Sequence, residues 1–120
     1  MRADPLERAF AALADRTRRA VVELLQQRPR RAGELASELA VSAPALTRHL
    51  RVLRTSELVV ESVDEQDGRV RIYRLRPEAF GRLRSWVERV EQLWAEQLES
   101  FAAHVDAVAK RGTPPVRSRA

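Results

Sequence analysis

The sequence predicts a mainly α, α+β domain of order ααααββα, in which the last helix is far longer than the rest. Three observations predict it. Apolar residues recur at spacings of three and four from Leu6 to Leu53, the period of helices with one buried face. Two Val-containing runs flank Asp67-Gly68, a pair that favours the positive backbone angles of a tight hairpin. After Pro77 an apolar period of seven runs without a gap through Phe80, Val87, Trp94, Phe101 and Val108.

Each element has its own signal. Leu6, Phe10 and Leu13 mark a short first helix that ends near Ala14. Asp15 can cap a second helix, with Val21, Leu24 and Leu25 on one face through about Gln27. Arg28-Pro29-Arg30-Arg31 breaks it. From Gly33, Leu35 and Leu39 recur at i and i+4 with Ala32 and Ala36 beside them, and Ala40-Val41 ends that helix. Ser42 offers a capping oxygen, and Pro44 sits in a first turn where its missing N–H costs nothing. In the helix over 43–54, Leu46, Leu50 and Leu53 share one face, while Pro44, Thr47, Arg48, Arg51 and Thr55 occupy the other. Leu58 to Asp64 reads as a strand, Val70 to Leu75 as its return, and Pro77 restarts a helix that continues to about Val108. The folded domain is expected over 1–109. The tail over 110–120, with Gly112, Pro114 and Pro115, is expected to be disordered.

Composition narrows the function. The 120 residues carry a net charge of +5 and a pI near 11.1, and all but one of the 22 basic residues are Arg. That excess suits bidentate contact with phosphate or guanine, and a GC-rich codon bias would produce it equally. Without cysteine there is no disulfide framework, thiolate nucleophile or thiolate metal site. The N-terminal residues lack an apolar run of signal-peptide length, and no segment is long enough to span a bilayer. A cytoplasmic protein with no membrane partner is expected.

A helix anchored by three leucines, with Thr and Arg outward, suits a DNA major groove. Two surface helices of an ordinary bundle would look similar. The hairpin directly after the basic helix separates the two readings, because together they form a winged helix-turn-helix. The candidate DNA contacts are Ser42, Ala43, Pro44, Thr47, Arg48, His49 and Arg51, with Arg69 and Arg71 from the wing. Arg74 shares the return strand. All three wing arginines could instead pair across the hairpin with Glu61 and the acids of its tip. The tip acids Asp64, Glu65 and Asp67 would repel phosphate. His49 is either a packing residue or a donor to a phosphate or backbone group.

The last helix points to self-association. Five heptad positions make a seam of roughly 42 Å at 1.5 Å per residue, longer than a single small domain can cover. Leu6, Phe10, Phe80, Val87, Val90, Trp94, Leu98, Phe101 and Val105 are the candidate dimer contacts. No catalytic residue, cofactor or metal ligand set is expected. The two histidines, His49 and His104, cannot supply the three or four ligands that zinc needs. Glu61 and Asp64 read as exposed carboxylates, with nothing to raise either pKa. The rival reading is a winged-helix adaptor that binds another protein and has little intrinsic DNA binding.

The run LADRTRRAVVELL (13–25), then AGELASELAVSAPALTRHLRVLR, YRL (73–75) and the Trp-spaced WVERVEQLW (86–94) resemble the bacterial ArsR/SmtB repressors, in a cysteine-free subgroup. The resemblance covers roughly Pro5 to Val108. It implies a homodimeric transcriptional repressor that binds a double-stranded operator and is released by an effector. The absence of Cys points to a protein partner or an apolar small molecule rather than a metal ion, with Trp86, Val90, Leu93 and Trp94 as the surface for it. Three positions depart from the family. Ala43 replaces a usual Gln that could pair with adenine, Glu57 replaces a usual Gly at a left-handed helix exit, and the wing tip is acidic.

Overall fold

The computed structural model describes residues 3–111. Their order is α1 (Pro5–Leu13), α2 (Arg16–Gln27), β1 (Arg30–Arg31), α3 (Ala32–Leu39), α4 (Ala43–Thr55), β2 (Val59–Val63), β3 (Arg71–Leu75) and α5 (Pro77–Lys110). The mainly α winged order is the expected one, with one strand added. The chain forms two units, one through Leu83 and one from Arg84.

The first unit is built on leucines and valines from α2, α3, α4 and β2, with Leu58 just before β2. Leu35, Leu46, Leu50, Leu53 and Leu58 are fully buried together with Val21 and Val59. Burial of each such side chain contributes about 1.5–3 kcal/mol. Ala9 and Ala12 of α1 and Ala79 of α5 are buried in the same core, with Phe80 and Leu83 packed against it. Small residues at these places let helix backbones approach closely.

The caps fall where their chemistry predicts. The Asp15 side chain accepts from the Arg18 backbone N–H at 3.0 Å, and Ser42 Oγ accepts from Ala45 N–H at 3.2 Å. The α3–α4 turn passes through Ala40 in the left-handed region at φ 53° and ψ 43°, with Val41 N–H donating to Ala36 O at 3.1 Å. Glu57 also takes a positive φ, 63°. The helix exit therefore keeps a left-handed turn without glycine.

The sheet has order β1-β3-β2, with both pairs antiparallel. Residues 28–31 are more than the plain break that the sequence suggests. Arg30 and Arg31 pair with Tyr73 and Ile72, which makes them an edge strand. Arg30 is only 5 % exposed, because its guanidinium meets Glu38, Gln27 Oε1 at 2.7 Å and the Leu24 carbonyl at 3.3 Å. A buried guanidinium needs such partners, and they come from α2 and α3, which sequence periodicity does not bring together. Boundaries also shift by a residue or two: α4 extends to Thr55, the strands run Val59–Val63 and Arg71–Leu75, and α5 reaches Lys110, a residue of the expected tail. The rest of the expected tail, from Gly112, lies outside the described residues.

In the second unit α5 leaves a long row of large apolar side chains exposed: Val87, Val90, Leu93, Trp94, Leu98, Phe101 and Val105. Trp94 and Phe101 are 62 % and 67 % exposed among the described residues. No helix among the described residues is long and apolar enough to cross a membrane.

Candidate nucleic-acid interface

Helix α4 is seated by one face and offers the other. Leu46, Leu50 and Leu53 are at most 2 % exposed, whereas Ser42, Ala43, Pro44, Thr47, Arg48, Arg51 and Thr55 are all exposed. Thr47 Oγ1 donates to the Ala43 carbonyl at 2.9 Å. Its proton is thereby occupied, which leaves the oxygen as an acceptor and the methyl group as an apolar contact. Among the described residues, Arg48 and Arg51 make no hydrogen bond or ion pair, so two guanidinium groups stand free on this face. Arg54 does not. It lies on the shoulder toward the wing, 2.7 Å from Glu61 of β2.

His49 lies on the opposite shoulder of α4. Its Nδ1 faces Arg18 Nη1 at 3.4 Å and lies 3.9 Å from Asp15 Oδ1. Arg18 also donates Nε to the Ala12 carbonyl at 2.6 Å and Nη2 to the Ala11 carbonyl at 3.4 Å. One arginine thus ties the end of α1 to α4. The Asp15 carboxyl is held below its ordinary range, first by the Arg18 backbone N–H and then by the charges of His49 and Arg18.

The wing arginines do not form one surface. Alternation along β3 puts Arg71 on the face of the buried Tyr73, and Arg74 on the other face. Arg71 Nε lies 3.3 Å from Glu61, and Arg69 Nε donates to Asp67 at 3.3 Å. Arg71 thus takes the cross-hairpin pairing, and Arg69 pairs with an acid of the tip two residues before it. Glu61 and Asp64 are not the exposed carboxylates expected from the sequence. Their side chains are 22 % and 11 % exposed, because Arg54 and Arg71 cover the first and Arg31, at 2.9 Å, covers the second. Asp64 is held below its ordinary range, most by the Gln66 backbone N–H and next by Arg31. The acids at the wing tip therefore shape its backbone, and Glu65 alone among them lacks an arginine. Sequence reasoning missed Arg31 and Arg54, whose positions depend on the β1–β3 pairing and on the angle between α4 and β2.

The candidate dimer residues divide between the units. Leu6 is half-buried and Phe10 exposed on α1, Phe80 packs on the core of its own unit, and Val87 onward are exposed. Among the described residues no three His, Cys, Asp or Glu side chains converge.

The family model for bacterial regulatory proteins of the arsR family matches residues 15–60, from the α2 cap into the wing. The HTH-type transcriptional regulator Rv2034 of Mycobacterium tuberculosis is 43 % identical over 101 residues, covering 84 % of this chain and 89 % of that protein. The transcriptional repressor SdpR of Bacillus subtilis is 32 % identical over 54 residues, 45 % of this chain and 60 % of the repressor. The crystal structure of an ArsR family transcriptional regulator, RHA00566, superposes with a TM-score of 0.69 at 32 % identity, covering 77 % of this chain and 98 % of that one. With the seated α4, the paired wing and these likenesses together, the chain belongs to the ArsR family of DNA-binding bacterial transcriptional regulators.

Proposed function

We propose that the protein is a homodimeric repressor whose α4 enters the major groove of its operator. Arg48 and Arg51 are the observation that carries this reading. They stand unpartnered on the exposed face of α4, while Arg18, Arg30, Arg31, Arg54 and Arg71 around them are all engaged. Each can reach guanine in two-pronged fashion or clamp a phosphate. Thr47 accepts from a base amino group or touches a thymine methyl. The open N-terminal turn of α4, with Ser42, Ala43 and Pro44, lies along the backbone, and His49 donates to a phosphate.

The exposed row on α5 supports the dimer. A second copy covers it, and a two-fold partner sets two α4 helices about 34–36 Å apart, one turn of DNA. Release from DNA is assigned to an apolar small molecule or protein partner at Trp86, Val90, Leu93 and Trp94, which expose apolar surface to it.

Binding to the gene's own promoter fragment and to a random duplex, followed by anisotropy from low to high salt, tests the proposal. A steep loss of affinity with salt is expected on both, with the promoter bound more tightly throughout. Weak binding to every duplex at every salt would instead favour a protein-binding adaptor.

A further inference from the structure

The carboxylate of Glu61 sits between two arginines that come from different elements. Arg54 Nη1, from the last turn of α4, is 2.7 Å away, and Arg71 Nε, from the first residue of β3, is 3.3 Å away. Glu61 lies directly opposite Tyr73 in the hairpin, and Tyr73 is buried. The carboxylate is thereby fixed from below, with 22 % of its side chain exposed, while the Arg54 and Arg71 side chains keep 40 % and 55 % exposure. Two guanidinium groups converging on one oxyanion is the arrangement that recognises a phosphate diester. It lies where α4 meets the wing, beside the exposed face of α4 read as entering the groove.

We propose that Arg54 and Arg71 form a backbone-phosphate site, and that Glu61 occupies it as an internal stand-in for the phosphate. Resting on the reading of α4 as the groove helix, this assigns Glu61 a specificity role. The carboxylate keeps both guanidinium groups aimed and cancels one of their charges, so DNA that offers only phosphates gains little there. An operator that also engages Arg48 and Arg51 binds well enough to draw a phosphate into place. Without Glu61, any duplex gains.

Glu61→Gln keeps the shape and removes the charge. The variant should bind random duplex more tightly, with its log–log salt slope steeper by about one. Operator affinity should rise less, so the ratio of operator to random binding falls. The double variant Glu61→Gln/Arg71→Gln should return the slope to that of the wild type. Glu23→Gln, on an exposed position of α2, controls for net charge and should leave the slope unchanged. A folded Glu61→Gln whose slope and random-duplex affinity match the wild type, or the Glu23→Gln control, overturns the proposal and leaves Glu61 as a brace. Should Glu61→Gln fail to fold, Arg54→Gln and Arg71→Gln decide. Each must make the operator slope shallower by about one and the random-duplex slope by less, and unchanged operator slopes overturn the site. A wild-type protein that fails to bind duplex at all would instead remove the reading of α4 itself.

Discussion

Arg18 of α2 and His49 of α4 meet at 3.4 Å, and the approach fixes which histidine nitrogen carries the proton. A guanidinium only donates, so Nδ1 must accept and the hydrogen sits on Nε2. Asp15, at 3.9 Å, is too far to accept from Nδ1 and reverse that choice. The groove helix thus presents the Nε2 edge of the ring, directed away from the Arg18 contact.

Nitrogen-15 NMR should therefore find the Nε2–H tautomer for His49 at neutral pH. Arg18→Met should mix the two tautomers, and a predominant Nδ1–H form in the unmodified protein would contradict the arrangement.

Arg48→Ala should cost about 1–3 kcal/mol on the operator if the side chain contacts guanine through both its donors. The loss on random duplex should be much smaller. Parallel titrations read the difference, and equal losses would show that Arg48 touches only the backbone.

Replacing Trp94 and Phe101 together by Glu places charge in the exposed row of α5. If a second copy covers that row, light scattering should report dimers for the native chain and monomers, or unfolded protein, for the variant. A native mass of one chain at micromolar concentration would end the dimer proposal.

Ala40 holds a left-handed backbone that costs a non-glycine residue roughly 1–2 kcal/mol. Its two turn hydrogen bonds are made by backbone groups and survive substitution. Ala40→Gly should raise the thermal midpoint by about 4–8 °C per kcal/mol recovered. A fall in midpoint would mean that the methyl group packs to more effect than its exposed position allows.

Acid should weaken the fold. Asp15, Glu34 and Asp64 all titrate below their ordinary values of 3.8, 4.5 and 3.8, held down chiefly by the Arg18 backbone, the Arg28 side chain and the Gln66 backbone respectively. In that window the unfolded chain binds more protons, so stability is complete above the ordinary values and falls as pH drops through the lowered ones. Tyr73 acts at the other end. Burial first, and the nearby charge of Glu61 second, raise its phenol above 10.0, so its share of stability is lost as pH climbs past that value. Urea midpoints across the range should trace a plateau with losses on both flanks, and a midpoint unchanged on entering the acid window would contradict the assignment.

Most of the architecture was legible because it is local. The spacing of Leu46, Leu50 and Leu53 declared both the helix and its buried face, and Asp15 and Ser42 cap where side-chain chemistry placed them. The left-handed exit at Glu57 was legible only as a departure, a Glu where such a turn usually has Gly. Edge strand β1 was hidden, since two arginines after a proline carry every sign of a solvated loop. Only their pairing with Tyr73 and Ile72 makes them a strand. The same limit applied to the candidate interface. Exposed Arg48 and Arg51 follow from helical phase alone, but the partners of Arg54, Arg69 and Arg71 depend on how hairpin and helix meet. Charge counting could say that acids and bases were close in sequence, not which would pair.

Glu57 carries an evolutionary consequence. Its left-handed backbone costs roughly 1–2 kcal/mol, and its carboxylate lies 3.8 Å from Arg8 of α1 and 3.9 Å from Arg82 of α5. Each part-exposed ion pair contributes about 0–1 kcal/mol, so together they come close to cancelling the strain. Glycine at this position is then nearly neutral while both arginines remain, and advantageous once either is gone. The three positions are epistatic. A lineage that loses Arg8 or Arg82 first has a downhill path to glycine, and afterwards has no single step back to Glu that does not lower stability.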